Sequence, residues 1–390
     1  MILKGGNLKK IFFAVILTAF FSPVFADEKP AIITDFPTTL TYPSFWHTPF
    51  GINRGTPFWL KVFLGNRTYF SDPQGIAATK LLVEYGRINK GRDDWQLTVY
   101  GVNSGRSEVI YNSSMKSLAI FGREGNGDGE LYLPKGIACN EFGDIYVADT
   151  GNHRVARFYN DGSSVRFITN IGQGFGEGKG QFKSPSYTAV DSAGRLYVSD
   201  TGNNRIQVFS KSGGLIRTIS TGLHSPLGIA VCDDLERFTG YRQNFIFVID
   251  GYGARIQKLD FEGNIVNSVR LPDLVSKHVM LTTLALDYYG NVYTVDNYNS
   301  QVHKFSPELN FITSFGSFGT EAYQFEKPTG ITIYKHYGQV FVSDRESAQY
   351  FWLGSDITDF KYGMIKGAEN YTLEMDFFLT EKAYLTAVIE

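Results

Sequence analysis

An all-β chain arranged as a six-bladed β-propeller is the fold this sequence predicts, and three observations predict it. A motif of an aromatic, a β-branched residue, an acid and a polar turn recurs five times, with its aspartates 46 to 51 residues apart. Each copy divides into short strand-like runs bounded by Gly or Pro turns, four runs to a blade. Aromatic residues make up 15% of the 390-residue chain and glycines number 41, which favours sheets and tight turns over helices. Hydrophobic residues at 43% against 19% charged are enough for a large core and exclude global disorder. Two cysteines exclude a disulfide framework.

The N-terminus comes first. Lys4, Lys9 and Lys10 precede an apolar run over 11–21 (IFFAVILTAFF), and Val24-Phe25-Ala26 places small residues at −3 and −1. Residues 1–26 read as a signal peptide cut after Ala26, since eleven apolar residues are too few to span a bilayer of about 30 Å. The mature chain is therefore expected to be exported (secreted, periplasmic or cell-surface), with no membrane span. Losing three lysines takes the formal charge from −2 to −5, which argues against nucleic acid as a partner.

The five copies are 144–158 (DIYVADTGNHRVARF), 195–209 (RLYVSDTGNNRIQVF), 245–259 (FIFVIDGYGARIQKL), 291–305 (NVYTVDNYNSQVHKF) and 339–353 (QVFVSDRESAQYFWL). In each, strand b ends at the acid and strand c follows the turn. Strand a comes before them, as in PKGIA from Pro134 or PLGIAV from Pro226, and strand d after them, as in LIRTIS from Leu215. The third copy carries about nine extra residues over 233–244, between strands a and b. A divergent copy precedes these: PQGIAA from Pro73, WQLTVYG from Trp95, SEVIYN from Ser107 and SLAIFG from Ser117, without the Asp-Thr-Gly-Asn turn. Counting it gives six blades, at about 73–122, 134–172, 185–221, 226–270, 281–316 and 328–363. The rival is a separate β domain followed by five blades, but a ring must close to remove its edges. The Pro- and aromatic-rich segment 27–72 either caps the ring or lends it a strand. Residues 364–390 read as a short β element, with 371–379 and 383–390 as a hairpin, or as the start of a β-sandwich whose remainder lies elsewhere.

The segments YVADTGNHRV and YVSDTGNNRIQVF, with the preceding loops GFGEGKGQFKSP and GSFGTEAYQFEKP, resemble the NHL repeat. The resemblance covers about 240 residues strongly and about 290 with the divergent blade. It implies a propeller of the NHL/TolB-like kind, and such a fold hosts many activities. Similar propellers include metal-dependent lyases and parts of ubiquitin ligases. No axial histidine set can be matched here, and no Cys/His-rich zinc module is present.

Repetition assigns the recurring polar residues. Asp149 and Arg154, Asp200 and Arg205, Asp250 and Arg255 keep a spacing of five, and Asp296 and Asp344 continue the series with Gln301 and Gln349 in place of Arg. A residue needed in every unit holds the fold, whereas a catalytic one is needed once. Oxygen-bearing Asn126, Asp128 and Glu130 do not match a calcium loop and read as a Gly-rich loop. The six histidines form no metal pair, and no metal or other cofactor is expected.

Function is read from the face where the b–c turns meet the loops before strand a. Candidate contacts in the turns are Asn152, His153, Asn203, Asn204, Tyr252, Asn297, Tyr298 and Arg345. The loops add Arg123, Phe175, Tyr187, His224 and Tyr323. Tyr and Asn suit adaptable recognition, so a scaffold binding a protein, peptide or glycan is expected. The alternative is a metal-dependent lyase or hydrolase in the central funnel, which needs ligands converging on the axis.

Overall fold

The computed structural model describes residues 13–17, 40–43, 52–84, 97–114, 117–275, 278–354, 357–366 and 371–379. They fall into two compact units, Tyr42–Trp352 and a smaller one from the two ends of the chain. In the larger unit, alternating apolar runs separated by Gly turns fold into six antiparallel sheets set around an axis. The divergent copy forms the first blade, from Pro73–Thr79, Thr98–Asn103, Glu108–Ser114 and Ser117–Phe121. The second runs from Ile137–Cys139 to Val165–Ile171, the third from Pro185–Val190 to Leu215–Ile219, and the fourth from Ile229–Cys232 to Ile265–Arg270. The fifth runs from Leu281–Leu286 to Phe311–Phe315.

The sixth blade differs from its sequence reading, which ran it to 363. Its own strands are Gly330–Tyr334, Gln339–Asp344 and Ser347–Leu353, and an outer strand comes from Arg54–Gly55. Gly55 stands opposite Ala348 and Arg54 opposite Gln349. The Tyr350 N–H donates to the Asn53 carbonyl at 2.8 Å. A segment that precedes the ring thus seals its last sheet, which leaves that edge covered.

Strands b are the most deeply buried, along their whole length in the second, third and fifth blades (as in DIYVAD of the second), because each sheet packs face to face on both neighbours. Strands d alternate or lie open, as in IVNSVR of the fourth. Apolar clusters join successive blades: Tyr100, Val102 and Phe121 meet Ile145, Val147 and Phe158 between the first and second. Phe315, Phe325 and Phe351 stack edge to face between the fifth and sixth.

The inner strands are laced to one another at their starts. The Gly75 N–H donates to Lys135 O at 2.9 Å, Gly136 to Ser186 O at 2.7 Å and Gly228 to Thr282 O at 3.1 Å. Hydroxyls complete the circle: Thr201 to Pro226 O at 2.7 Å, Thr282 to Thr329 O at 2.8 Å, and Thr329 to Pro73 O at 2.7 Å. That last bond joins the sixth blade to the first, so the ring is closed. Only glycine fits such an approach at position 136, where a Cβ would sit 2.5 Å from the Tyr187 Cα and 2.6 Å from the Ser186 carbonyl.

The smaller unit is a three-stranded antiparallel sheet in the order Phe13–Leu17, Tyr371–Leu379, Ile357–Lys366. The hairpin partner of Tyr371–Leu379 is thus Ile357–Lys366, and residues 380–390 lie outside the described residues. Apart from Phe13–Leu17, the expected signal peptide also lies outside them, including its cut after Ala26. Among the described residues no helix is long and apolar enough to cross a membrane.

Candidate functional site

Two ends of the ring are built differently. At the end where strand a turns into strand b, the extra residues 233–244 of the fourth blade bridge to their neighbours. Asp233 accepts from the Ser192 N–H of the third blade at 2.9 Å. The Gly240 N–H donates to Tyr288 O of the fifth blade at 2.7 Å. Glu236 pairs with Lys335 of the sixth at 2.6 Å, and Phe238 stacks on His336 at 4.1 Å. These contacts reach four consecutive blades at their a–b turns, so the insertion braces this end and leaves the other as the open loop face.

On the loop face the repeated acids act as ties. Asp200 is fully buried and accepts from the Lys183 N–H at 2.8 Å, Asn203 at 2.8 Å, Arg205 at 2.7 Å and Gln207 at 3.2 Å. Arg205 passes the restraint on to the carbonyls of Glu177, Gly178 and Gln181, at 2.7, 2.8 and 2.7 Å. Arg154 does the same to Asn126, Gly127 and Glu130, so those carbonyls hold a guanidinium. Asp149, Asp250, Asp296 and Asp344 accept from the N–H groups of Tyr132, His224, Met280 and Lys327. Each acid therefore fastens a loop before strand a to the b–c turn.

Three details differ from the sequence reading. The first blade does contain the turn: Asn103 takes the acid's place, accepts from the Ser71 N–H at 2.7 Å, and Ser107 adopts the left-handed φ of 53° found at His153 (54°). Gln349 does not replace the arginine. Asp344 pairs with Ser347, and Gln349 stands opposite Val342 as Gln207 stands opposite Val198. The missing arginine is Arg54, which donates to Ser347 Oγ at 3.2 Å and to the Thr320 carbonyl and lies 3.8 Å from Asp344. Glu177 and Thr320 occupy matching places in the two loops, so Arg54 reproduces Arg205 from a distant segment.

His303 lies between Ser314 (2.7 Å from Nδ1) and Asp296 (3.3 Å from Nε2), in the order of a nucleophilic triad. It stands where Gln207 and Gln257 stand in their blades, is fully buried, and meets the acid through Nε2 rather than Nδ1. We read it as the local form of the same tie. Burial pushes the Asp296 carboxyl up, but His303, Asn299 and the N–H groups of Met280 and Asn299 outweigh this and hold it below its ordinary 3.8. A depressed folded value adds stability that is present above 3.8 and is lost as pH falls through the folded value. Asp296→Asn should flatten the acid limb of an unfolding free energy against pH curve below about pH 4, and an unchanged acid limb would refute this.

The expected contact residues divide. Asn152, Asn203 and Asn297 spend their amides on Gly125 O, Gly176 O and Pro328 O. Asn204 Oδ1 accepts from Ser225, and His153 Nδ1 from Ser184. Tyr187 is buried at the axis, and burial raises its phenol with Asp72 adding to the effect. Tyr323 stacks on Tyr42 at 4.5 Å. Arg123, Phe175, His224, Tyr252, Tyr298 and Arg345 remain exposed. His153, His224, His278, His303 and His336 lie apart, and His47 is outside the described residues. Among the described residues no three His, Cys, Asp or Glu side chains group to hold an ion. Cys232 is buried and Cys139 half-buried, both unpaired; burial pushes their thiols up to about 11 and about 12.

What emerges is a circle of exposed aromatics on the loop face, one per blade: Tyr69, Tyr132, Phe175, Tyr252, Tyr298 and Phe318. Their exposure runs from 43% at Tyr132 to 76% at Tyr252. Large apolar side chains held open on rigid, tied loops form a contact surface of the kind that recognition sites use.

An NHL repeat model matches residues 131–158 and 182–209, which hold strands b and c of the second and third blades. The chain is 29% identical over 152 residues to a probable peptidyl-alpha-hydroxyglycine alpha-amidating lyase of Caenorhabditis elegans, covering 36% of this chain. It spans less than half of that relative, 42%. It is 24% identical over 255 residues to the human NHL repeat-containing protein 3, covering 63% of this chain and 70% of the relative. A solved gluconolactonase from Xanthomonas campestris superposes with a TM-score of 0.53 at 13% identity, over 83% of this chain and 98% of its own, which shows the shared fold alone.

Proposed function

We infer, from the premise that this chain is an NHL repeat-containing six-bladed β-propeller, that it is an exported binding scaffold whose loop face takes a protein, peptide or glycan partner. The observation that carries this reading is the aromatic circle, with one exposed ring per blade on loops that buried ion pairs hold in place. Flat, stiff side chains give contact area at small entropic cost, and many loops each add one contact. Export is supported by the N-terminal pattern over 1–26. The enzymatic alternative asks for a metal cage at the axis, and the residues described do not group into one.

The test is retention of the mature chain on immobilised cell-envelope extract. Phe175→Ala, Tyr252→Ala and Phe318→Ala together should reduce retention about tenfold or more, because a few anchors dominate binding. Folding should be unaffected, since the three rings are exposed. Protease or periodate treatment of the extract then tells a protein from a glycan. Undiminished retention by the triple variant would overturn the reading.

A further inference from the structure

We propose that the seam between the sixth and first blades is a site for a small zwitterion of amino-acid size. The loop face breaks its own symmetry there. In the second and third blades four residues separate the paired acid and arginine, and the turn's threonine donates to the next blade's first proline carbonyl, Thr150 to Pro185 and Thr201 to Pro226, both at 2.7 Å. The sixth blade pairs Asp344 with Ser347, so its turn is Arg345 and Glu346 alone. The next proline, Pro73, is satisfied from below by Thr329 at 2.7 Å. Where the longer turn would have stood there is a cavity of about 300 Å³.

The chemistry of its wall selects the ligand. Lys327 and Arg345 bring positive charge and Asp72 and Glu346 negative charge, over a floor of buried Pro73 and Thr329. Arg345 reaches Glu326 only at 3.9 Å, and among the described residues Lys327, Asp72 and Glu346 have no ion-pair partner. A simple anion would face two carboxylates, and a simple cation two basic groups. A molecule carrying both an ammonium and a carboxylate meets both signs at once. The volume lies at the lower end of the roughly 300–1,000 Å³ usual for ligand pockets, which suits a free amino acid.

The site uses none of the six circle aromatics, so it stands or falls separately from the scaffold reading. Calorimetric titration of the mature chain with L-alanine tests it, with propionate and ethylamine as its single-charge halves. Saturable binding of alanine is expected, with each half at least about tenfold weaker, as loss of one charge-assisted contact implies. Arg345→Ala and Glu346→Ala, both at exposed positions, should each weaken alanine about tenfold without moving the thermal unfolding midpoint. The proposal is overturned by the absence of saturable heat, by propionate or ethylamine binding as well as alanine, or by unchanged affinity in both variants.

Discussion

Asp200→Ala should lower the free energy of unfolding by about 3–5 kcal/mol, as expected when one partner of a buried ion pair is removed. The carboxylate is fully buried and Arg205 nearly so, with 11% of its side chain exposed. Without the acid, the guanidinium keeps three carbonyl acceptors but no counter-charge. The Lys183 N–H loses its acceptor, and the Gln207 amide keeps only the Gln181 carbonyl. Asp200→Asn keeps one acceptor oxygen and should cost visibly less. Urea titration followed by tryptophan and tyrosine fluorescence reads both variants. A loss below about 1 kcal/mol for Asp200→Ala would mean the carbonyl cradle alone satisfies Arg205, and that the repeated acid is not the tie described above.

The architecture was legible because its cause is local and repeated. Tyr146, Tyr197 and Tyr293 sit at the same place in strand b, and each is almost fully buried. Gly143, Gly194, Gly290 and Gly338 all adopt the positive φ that their place in the a–b turn suggested. The first blade's turn was legible too, had Ser104-Gly105 been aligned with Thr150-Gly151. What escaped depends on register and on closure. Counting five residues from Asp344 lands on Gln349, but a turn two residues shorter shifts every later pairing, so letters that align do not oppose the same partners. The asparagines of the turns look like contact residues in the sequence. Their amides instead close onto carbonyls of loops some thirty residues earlier or later, which only the folded ring brings near. Of the aromatic circle, Phe175, Tyr252 and Tyr298 were among the contact residues the sequence suggested, while Tyr69, Tyr132 and Phe318 escaped for the converse reason: exposure does not follow from the letter, as Phe175 and Phe182 show by sharing one loop with one exposed and the other wholly buried.

The clearest case of closure is Arg54, and it sets the second large effect. Nothing local marks this residue, since Asp344 lies far along the chain and the two meet only when the last blade accepts its outer strand. Its contacts on Asp344 and the Thr320 carbonyl match those of Arg205 on Asp200 and the Glu177 carbonyl, and its bond to Ser347 anchors it at the position that Arg205 itself occupies in the third blade. Arg54→Ala should therefore cost about 2–4 kcal/mol, somewhat less than Asp200→Ala, because the pair is looser at 3.8 Å and Asp344 keeps the N–H groups of Glu326, Lys327 and Arg345. Tyr42 donates to Gln349 at 2.8 Å and stacks on Phe351 at 4.9 Å, so the seam loosens without losing every fastening. A double-mutant cycle of Arg54→Ala with Asp344→Ala separates a direct tie from general damage. Two groups in one network should couple by about 0.5–3 kcal/mol, whereas independent losses would simply add. If the two changes prove additive, the N-terminal strand covers the edge of the sixth blade by backbone pairing alone, and Arg54 is not the distant substitute for the missing blade arginine.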